Sequence, residues 1–310
     1  MSTETRQDPA ADDAGGPKRE GTPDGAARPQ RLDPDTRRQI GSRRRQVDAE
    51  LRVTFQATVD EAQRRLSRSW PALFATGAVG GFDVGVGVLA LLLVREATGN
   101  ELLGALAFSI GFIALTLGRS ELFTENFLVP VAAVVTRNST VGATVRLWGG
   151  TAVTNLAGGW LFTLLISVGL PELHETAVEV GRHYPELGIG SVSFASAIIG
   201  GSAITLMTWM ERGTDSVPAK VVAAVAIAFV LASGRLNHAI VISLEMFAAL
   251  HAGAPFGYAD WLGMVLWAAL GNLIGGLGLV TVLRLIQVGR TTVLEERDRP
   301  TDQPRPAPAD

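Results

Sequence analysis

The sequence has 310 residues, a formal net charge of -3 and 47% hydrophobic residues, with a mean hydropathy of +0.26. It contains no cysteine, which excludes a disulfide framework, a thiolate metal site and a cysteine nucleophile. It also lacks an HExxH metal motif and a convincing serine-histidine hydrolase signature. We therefore expect no enzyme activity, metal or cofactor, and the near-neutral charge gives no reason to expect a nucleic-acid partner.

The average hydropathy conceals regions of very different composition. Residues 1–50 are rich in Pro, Gly, Asp and Arg, and residues 289–310 repeat that composition, so both are predicted to be disordered tails. Between residues 70 and 288, long apolar runs alternate with short polar loops. Runs of this kind suit a hydrocarbon core about 30 Å thick. This central part is predicted to be a transmembrane channel domain embedded in a lipid bilayer.

An amphipathic helix is predicted just before the transmembrane part, at residues 51–69. Apolar residues recur there at helical spacing among Arg, Gln and Glu, including Leu51, Phe55, Val59 and Leu66. The pattern favours a helix lying on the cytoplasmic membrane surface. The alternative is a solvated helical linker.

Six transmembrane spans are predicted, two of them interrupted. Their approximate ranges are 70–94, 102–136, 147–169, 190–210, 218–252 and 258–287. The second is broken around Gly118 and the fifth around Gly234, so each is interpreted as two half-helices. Unwound backbone at membrane depth survives only where protein buries it or water reaches it. The breaks therefore indicate a solute pathway.

Basic residues in short loops predict the orientation, because they resist translocation. All of the loops on one side carry them: Arg64, Arg65, Arg68, Arg137, Arg146, Arg212, Lys220 and Arg290. Both termini are therefore expected to face the cytoplasm, with the protein in the inner or plasma membrane.

Matched motifs in the two halves indicate an internal repeat. The Gly80-Gly81 pair matches Gly200-Gly201, the Gly-Arg pairs at 118 and 234 match each other, and the NLAGG motif at Asn155 matches NLIGG at Asn272. The three offsets are 120, 116 and 117 residues. Each half holds three spans, so the second must enter the bilayer inverted. The fold class expected is an all-α membrane protein of two inverted three-helix repeats, with the glycine pairs allowing close helix packing.

The first break carries a group of polar and charged residues. The half-helix that follows it presents free amides, and hence a positive end, towards the membrane centre, which attracts anions. Glu121 and Asn126 have a simpler interpretation as a capping carboxylate and a packing amide, with Arg119 as the ion-pair partner. The sequence leaves both interpretations open.

The second break carries His238, directly after Asn237. A histidine in an apolar segment is often a hydrogen-bonded core residue, but this one lies at a break symmetric with Thr124, and it is the group best suited to exchange protons. Glu245 follows two helical turns later on the same face. Asp83 in the first span is a further acid whose partner the sequence does not reveal. We therefore expect His238 to line the pathway.

Several of these segments together resemble the formate/nitrite transporter family, over residues 70–288. The matching segments are FSIGFIALTLGRSELFT from Phe108, FVLASGRLNH from Phe229, TNLAGG in the third span and GNLIGG in the sixth. The resemblance implies a homopentamer in which each protomer has its own aquaporin-like pore. A weak-acid anion would enter a vestibule, take a proton at the centre and cross apolar slits as the neutral acid, which is far less costly than crossing as an ion.

The resemblance also implies roles for individual residues. Hydrophobic constrictions would come from Phe108, Phe112, Phe123 and Phe229, and Leu122 is also placed in the pathway. Thr124 would be the polar contact of the first break and His238 the central histidine, with Asn155 and Asn272 also placed in the pathway. Arg182 would take the place of a basic vestibule residue.

Some residues depart from the family pattern. Glu125 replaces a small residue, Asn237 replaces an acid, and Arg235 and Glu245 replace small or apolar side chains. Ionised acids in a pore would repel formate or nitrite. A channel for a neutral solute or a cation is therefore an alternative, favoured by Asp83, Glu125 and Glu245, and a scaffold without transport is a third hypothesis.

Overall fold

The computed structural model describes residues 34–298, and all of their regular secondary structure is helical. The α-helices are α1 (Pro34–Leu66), α2 (Trp70–Thr98), α3 (Glu101–Gly118), α4 (Val129–Val135), α5 (Val141–Gly169), α6 (His174–Leu187), α7 (Ser191–Arg212), α8 (Val217–Ser233), α9 (Ala239–His251), α10 (Tyr258–Leu273), α11 (Val282–Val288) and α12 (Arg290–Arg297). Two 3-10 helices, Phe123–Phe127 and Pro171–Leu173, and a π-helix, Ile274–Thr281, complete the order. The predicted all-α fold class is confirmed.

Five helices among the described residues are long and apolar enough to cross a membrane. They are α2, α3, α5, α7 and the continuous helix from Tyr258 to Val288. The segments Phe123–Val135, Val217–Ser233 and Ala239–His251 are apolar but shorter. The breaks predicted at Gly118 and Gly234 are confirmed, because α3 and α8 end there and new helices begin at Phe123 and Ala239.

Helices extend into segments that the sequence placed in tails. Helix α1 already begins at Pro34, and α12 covers Arg290–Arg297. Residues 34–50 are rich in Arg and Gln and residues 290–297 in Arg and Glu, all of which are good helix formers, and proline suits the first position of a helix. The remainder of the predicted tails, residues 1–33 and 299–310, lies outside the described residues.

The apolar stripe of α1 is buried by protein, which corrects both interpretations of this helix. Phe55 and Val59 are 1% exposed and pack in one cluster with Ala132 of α4 and Leu285 of α11. Ala62 packs in a second cluster that includes α4 and α5 residues. The stripe that suggested contact with lipid instead covers the ends of these helices. We call this end of the helical body the α1 side and the opposite end, where α6 packs against α9, the α6 side.

The glycine pairs allow the helices of each half to cross in close contact. A Cβ atom on Gly81 would lie 2.3 Å from the carbonyl oxygen of Asn155, and one on Gly201 would lie 2.3 Å from that of Asn272. Both distances are far below van der Waals contact. The packing role predicted for these glycines is confirmed, and it occurs at equivalent points of the two halves.

Asn155 of α5 closes the first break. Its side-chain amide donates to the carbonyl oxygens of Gly77 at 2.7 Å and Glu121 at 2.9 Å. Its Oδ1 accepts the backbone N–H of Phe123 at 2.9 Å. One buried side chain thus satisfies backbone groups on both sides of the interruption, which a helix end at this depth requires.

Asn272 of α10 closes the second break in the same way. Its amide donates to the carbonyl oxygens of Ala197 at 2.7 Å and Asn237 at 3.0 Å, and its Oδ1 accepts the N–H of Ala239 at 2.9 Å. Each partner corresponds to one at the first break, by offsets of 120, 116 and 116 residues. The internal repeat is therefore present at the level of single hydrogen bonds.

Candidate functional site

The two breaks bring Thr124 and His238 into contact. The Oγ1 of Thr124 lies 2.6 Å from Nε2 of His238, and both residues are fully buried. Nδ1 of His238 accepts the N–H of Val241 at 3.4 Å, so His238 also caps α9. With Nδ1 as acceptor, the neutral ring carries its hydrogen on Nε2 and donates it to Thr124. The hydroxyl hydrogen of Thr124 then remains available for a third group.

An apolar cluster includes residues next to this polar pair, since Leu122 lies two residues before Thr124 and Val241 donates its N–H to His238. Phe108 and Phe112 of α3, Leu122 at the first break and Leu231 of α8 are at most 1% exposed and belong to one cluster. Phe123 is partly buried and packs against the same cluster. A charged solute would have to shed its hydration to pass these side chains, which is costly, whereas a neutral one would lose much less.

A cavity of about 90 Å³ lies on the α6 side of the cluster. Ala105 and Ala232 line it, one turn from Phe108 and next to Leu231 respectively, so the cavity ends at the apolar cluster. Its other lining residues include Leu91, Arg95, Glu101, Tyr184, Arg235 and Glu245. We call this cavity the vestibule.

The vestibule combines a buried carboxyl with two arginines. The hydroxyl of Tyr184 donates to Glu245, and both side chains are buried. Nearer the surface, Nη2 of Arg95 donates to Glu101 at 2.9 Å and to Glu179 at 2.8 Å. Arg235 donates to the same Glu101 at 2.5 Å. The two guanidinium groups therefore lie at the mouth of the cavity, and the carboxyl of Glu245 lies deeper inside it.

On the α1 side, Arg65 of α1 reaches the first break. Its side chain is 4% exposed, and its Nε lies 2.9 Å from Glu61 and 3.2 Å from Glu121. Its Nη1 donates to Oδ1 of Asn126 at 3.0 Å and lies 3.6 Å from Glu125. A single buried guanidinium thus connects α1 with three polar side chains of the break region, those of Glu121, Glu125 and Asn126.

Further charges surround this cluster. Arg68 also pairs with Glu121, and Arg212 at the end of α7 lies 3.5 Å from Glu61. Burial alone would raise the pKa of the Glu61 carboxyl, but the nearby guanidinium groups of Arg65 and Arg212 lower it to about 2. Glu61 is therefore ionised at physiological pH and holds α1 in the cluster.

The sequence model of the formate/nitrite transporter family matches residues 52–286, about three quarters of the chain. The chain belongs to the formate/nitrite transporter family. Similar proteins include the inner membrane protein YfdC of Escherichia coli (strain K12), 27% identical over 239 residues, or 74% of this chain and 76% of that protein. The uncharacterized transporter YrhG of Bacillus subtilis (strain 168) is 26% identical over 249 residues, covering 74% of this chain and 90% of that protein.

Solved structures of similar fold support the same family. One, described as an FNT family ion channel, superimposes with a TM-score of 0.65 over 74% of this chain and 96% of that chain, at 18% identity. Another, described as a pentameric formate channel with formate bound, has a TM-score of 0.56 over 69% and 95%, also at 18% identity. The chain is therefore a multi-pass membrane protein of the channel and transporter class.

In α8, Leu231 rather than Phe229 belongs to the apolar cluster. Leu231 is 1% exposed and lies in the apolar cluster with Ala224 and Ala228 of the same helix, whereas Phe229 is half-buried and outside it. Successive helical residues turn by about 100°, so two residues along α8 face nearly opposite directions. Phe229 therefore lies on the face of α8 that points away from the apolar cluster.

The ion pair considered for Arg119 is also corrected. Arg119 ends α3 with φ of 55° and its side chain is exposed, whereas Glu121 pairs with Arg65 and Arg68. The left-handed conformation of Arg119 redirects the following residues into the interior of the protein. The partner that the sequence did not reveal for Asp83 is Ser120, whose hydroxyl donates to Oδ2 at 2.5 Å.

Arg182 lies outside the vestibule. Its side chain is 53% exposed and is 3.7 Å from Glu186, one turn along α6. The cavity is instead bordered by Arg95 and Arg235. Glu245 contacts Tyr184 rather than His238, since seven residues place it about 10 Å further along α9.

The remaining amides act on the backbone. Asn155 and Asn272 have both side-chain groups bonded to main-chain atoms, so they stabilise the backbone of the two breaks. Asn237 donates its side-chain amide to the carbonyl oxygen of Ser193 at 3.2 Å, while its Oδ1 has no described partner. Sequence reasoning missed the site roles of Arg65 and Tyr184. Arg65 carried a signal as one of three arginines before the first span, but it was used only for orientation.

Proposed function

We propose that this protein is a channel for small monovalent weak-acid anions of the formate and nitrite type, with one pathway in each protomer. The observation that carries the proposal is the buried Thr124–His238 hydrogen bond, which lies next to the apolar cluster that contains Phe108, Phe112, Leu122 and Leu231. It is consistent with family membership and with the similar fold of the pentameric formate channel. Six spans, counting each broken pair as one, fit the same proposal.

The mechanism follows from the order of these groups. The anion reaches the centre from a vestibule, and the Thr124 hydroxyl donates a hydrogen bond to one of its oxygens. His238 assists protonation there with a proton that comes from the solution on the entry side, so that the neutral acid crosses the apolar cluster, releases its proton on the other side and leaves the imidazole neutral as before. The apolar cluster hinders the bare ion far more than the neutral acid.

A channel for neutral solutes or cations is the second candidate, favoured by the buried acids Glu125 and Glu245. Uptake by proteoliposomes of radiolabelled formate, nitrite, acetate and glycerol separates the candidates, with protein-free liposomes as the control. We expect formate and nitrite uptake well above the control and faster with an inward proton gradient. Glycerol uptake as fast as formate uptake would favour the alternative, and no uptake of any solute would favour a scaffold.

We propose that the functional unit is a homopentamer, as in the formate channel of similar fold. Glycines on the outer surface support close protomer contacts, since a Cβ atom on Gly149 or Gly278 would have no neighbour within 4 Å. Native mass spectrometry in mild detergent is expected to give a five-chain mass. A spectrum with only monomers and dimers would contradict this.

We also propose that both termini are cytoplasmic, so that α6 faces the other side. The chain has no cysteine, so a single Glu175→Cys variant in α6 gives a clean label. A membrane-impermeant thiol reagent added outside intact cells (spheroplasts if an outer membrane is present) is expected to label it. Labelling only after the membrane is opened would show that the orientation is reversed.

A further inference from the structure

Two arginines from different parts of the chain share one carboxylate oxygen at the mouth of the vestibule. Arg95, in the last turn of α2, and Arg235, in the loop before α9, place Nη2 atoms 2.9 and 2.5 Å from Oε1 of Glu101. Arg235 is held with φ of 44°, a conformation that non-glycine residues adopt at a cost. The loop thus keeps this guanidinium at the cavity despite local strain.

The arginines are fixed more firmly than the carboxylate between them. The Arg95 side chain is 10% exposed and is also held by Glu179 at 2.8 Å. The Glu101 side chain is 58% exposed, and ion pairs of exposed carboxylates contribute little to stability. The position between the two guanidinium groups is therefore an anion site with a loosely held occupant.

The occupant has the same functional group as a monocarboxylate. We propose that Arg95 and Arg235 form a loading site for a small monocarboxylate or similar oxyanion, and that the Glu101 carboxylate occupies this site until the permeant displaces it. One carboxylate replaces another, so the net charge between the arginines is unchanged on binding. The inference rests on the proposed function, because it assigns the step that precedes passage to His238.

The cavity behind the site has room for the incoming group. Its volume of about 90 Å³ exceeds the roughly 30 Å³ that one water molecule occupies in the liquid. Leu91 and Ala105 form walls that lead from the arginines towards Phe108. An oxyanion released from the arginines thus enters a confined space that ends at the apolar cluster.

The first test removes the resident carboxylate. Glu101→Gln keeps the size of the side chain but removes its charge, so the permeant no longer competes with it. We expect the formate concentration for half-maximal uptake to fall by up to about fivefold, the range for an exposed ion pair. The control is Glu186→Gln, which removes an equally exposed carboxylate on the same side but outside the cavity. Equal effects of the two variants would overturn the inference.

The second test removes one arginine. Arg235→Gln is expected to raise the half-saturating concentration several-fold, while Arg182→Gln, an exposed arginine that does not line the cavity, should leave it near the wild-type value. An unchanged value in Arg235→Gln would contradict a loading site.

A third measurement does not depend on transport. Phenylglyoxal modifies accessible arginines, and Arg235 and Arg182 have side chains 32% and 53% exposed. Formate is expected to protect Arg235 but not Arg182, as mapped by peptide mass spectrometry of the wild-type protein. Protection without any weak-acid uptake would leave the site standing and refute the proposed function. Uptake with no protection, and with normal half-saturation in Arg235→Gln, would refute the site alone.

Discussion

Replacement of His238 by asparagine is expected to reduce formate uptake by roughly 5- to 150-fold and to flatten its dependence on pH. Asparagine is a good helix N-cap, so it can still accept the N–H of Val241. It cannot titrate near neutral pH, and its shorter side chain does not reach Thr124 as the imidazole does. A lost buried hydrogen bond costs about 1–3 kcal/mol, or roughly 5- to 150-fold in rate. The measurement is initial uptake by proteoliposomes between pH 5 and 8.

Variants of Thr124 provide the matched controls. Thr124→Ser keeps the hydroxyl that lies 2.6 Å from His238 and should retain most of the uptake. Thr124→Val keeps the shape but removes the hydroxyl, so uptake should fall as in His238→Asn. Thermal stability in detergent is measured for each variant, to separate lost transport from lost folding. If His238→Asn and Thr124→Val both transport at the wild-type rate and pH profile, the central pair has no role in permeation.

Replacement of Arg65 by methionine is expected to destabilise the protein by about 3–5 kcal/mol. Methionine fills much of the same volume but leaves Glu61, Glu121 and Glu125 without the buried guanidinium that they share. Removing one partner of a buried ionic network leaves uncompensated buried charge, which is far more costly than losing an exposed pair. The measurement is the free energy of unfolding in detergent, together with proteolysis within α1.

Arg68→Met is the control for this prediction, because Arg68 pairs with Glu121 but its side chain is 24% exposed. We expect a smaller loss of stability from it. Adding Glu61→Gln to Arg65→Met should restore part of the stability, since Glu61 is ionised and loses the guanidinium 2.9 Å from it. An Arg65→Met protein as stable and as protease-resistant as the wild type would show that the cluster does not hold α1 in place.

The helix breaks and the repeat were predictable because each left a local mark in the sequence. The thickness of the bilayer sets the length of apolar run that one crossing needs. The runs that contain Gly118 and Gly234 are longer than this, and polar residues interrupt each of them near the glycine. The repeated NLxGG motifs at Asn155 and Asn272 likewise mark equivalent positions, although their hydrogen bonds to the backbone became visible only in the structure. Local patterns of this kind need no knowledge of tertiary contacts.

The ionic cluster and the vestibule were not predictable in this way. Arg65 meets Asn126 across 61 residues of sequence, and Tyr184 meets Glu245 across the same separation. No periodic pattern pairs such distant residues. The inward position of Leu231 was not predictable either, because a match of the segment does not specify which face of α8 packs in the apolar cluster.

The hydrogen bonds of Asn155 and Asn272 have a consequence for how the protein is made. Every partner of Asn155 described above lies in residues 77–123, and every partner of Asn272 lies in residues 197–239. The asparagine that bonds to each interrupted backbone therefore comes from the same half of the chain, so we expect the first half to be able to form these hydrogen bonds before the ribosome has completed the second. The Thr124–His238 contact, in contrast, joins residues 114 positions apart in different halves. The protomer, and the pathway that we propose through it, is therefore complete only when the two halves come together.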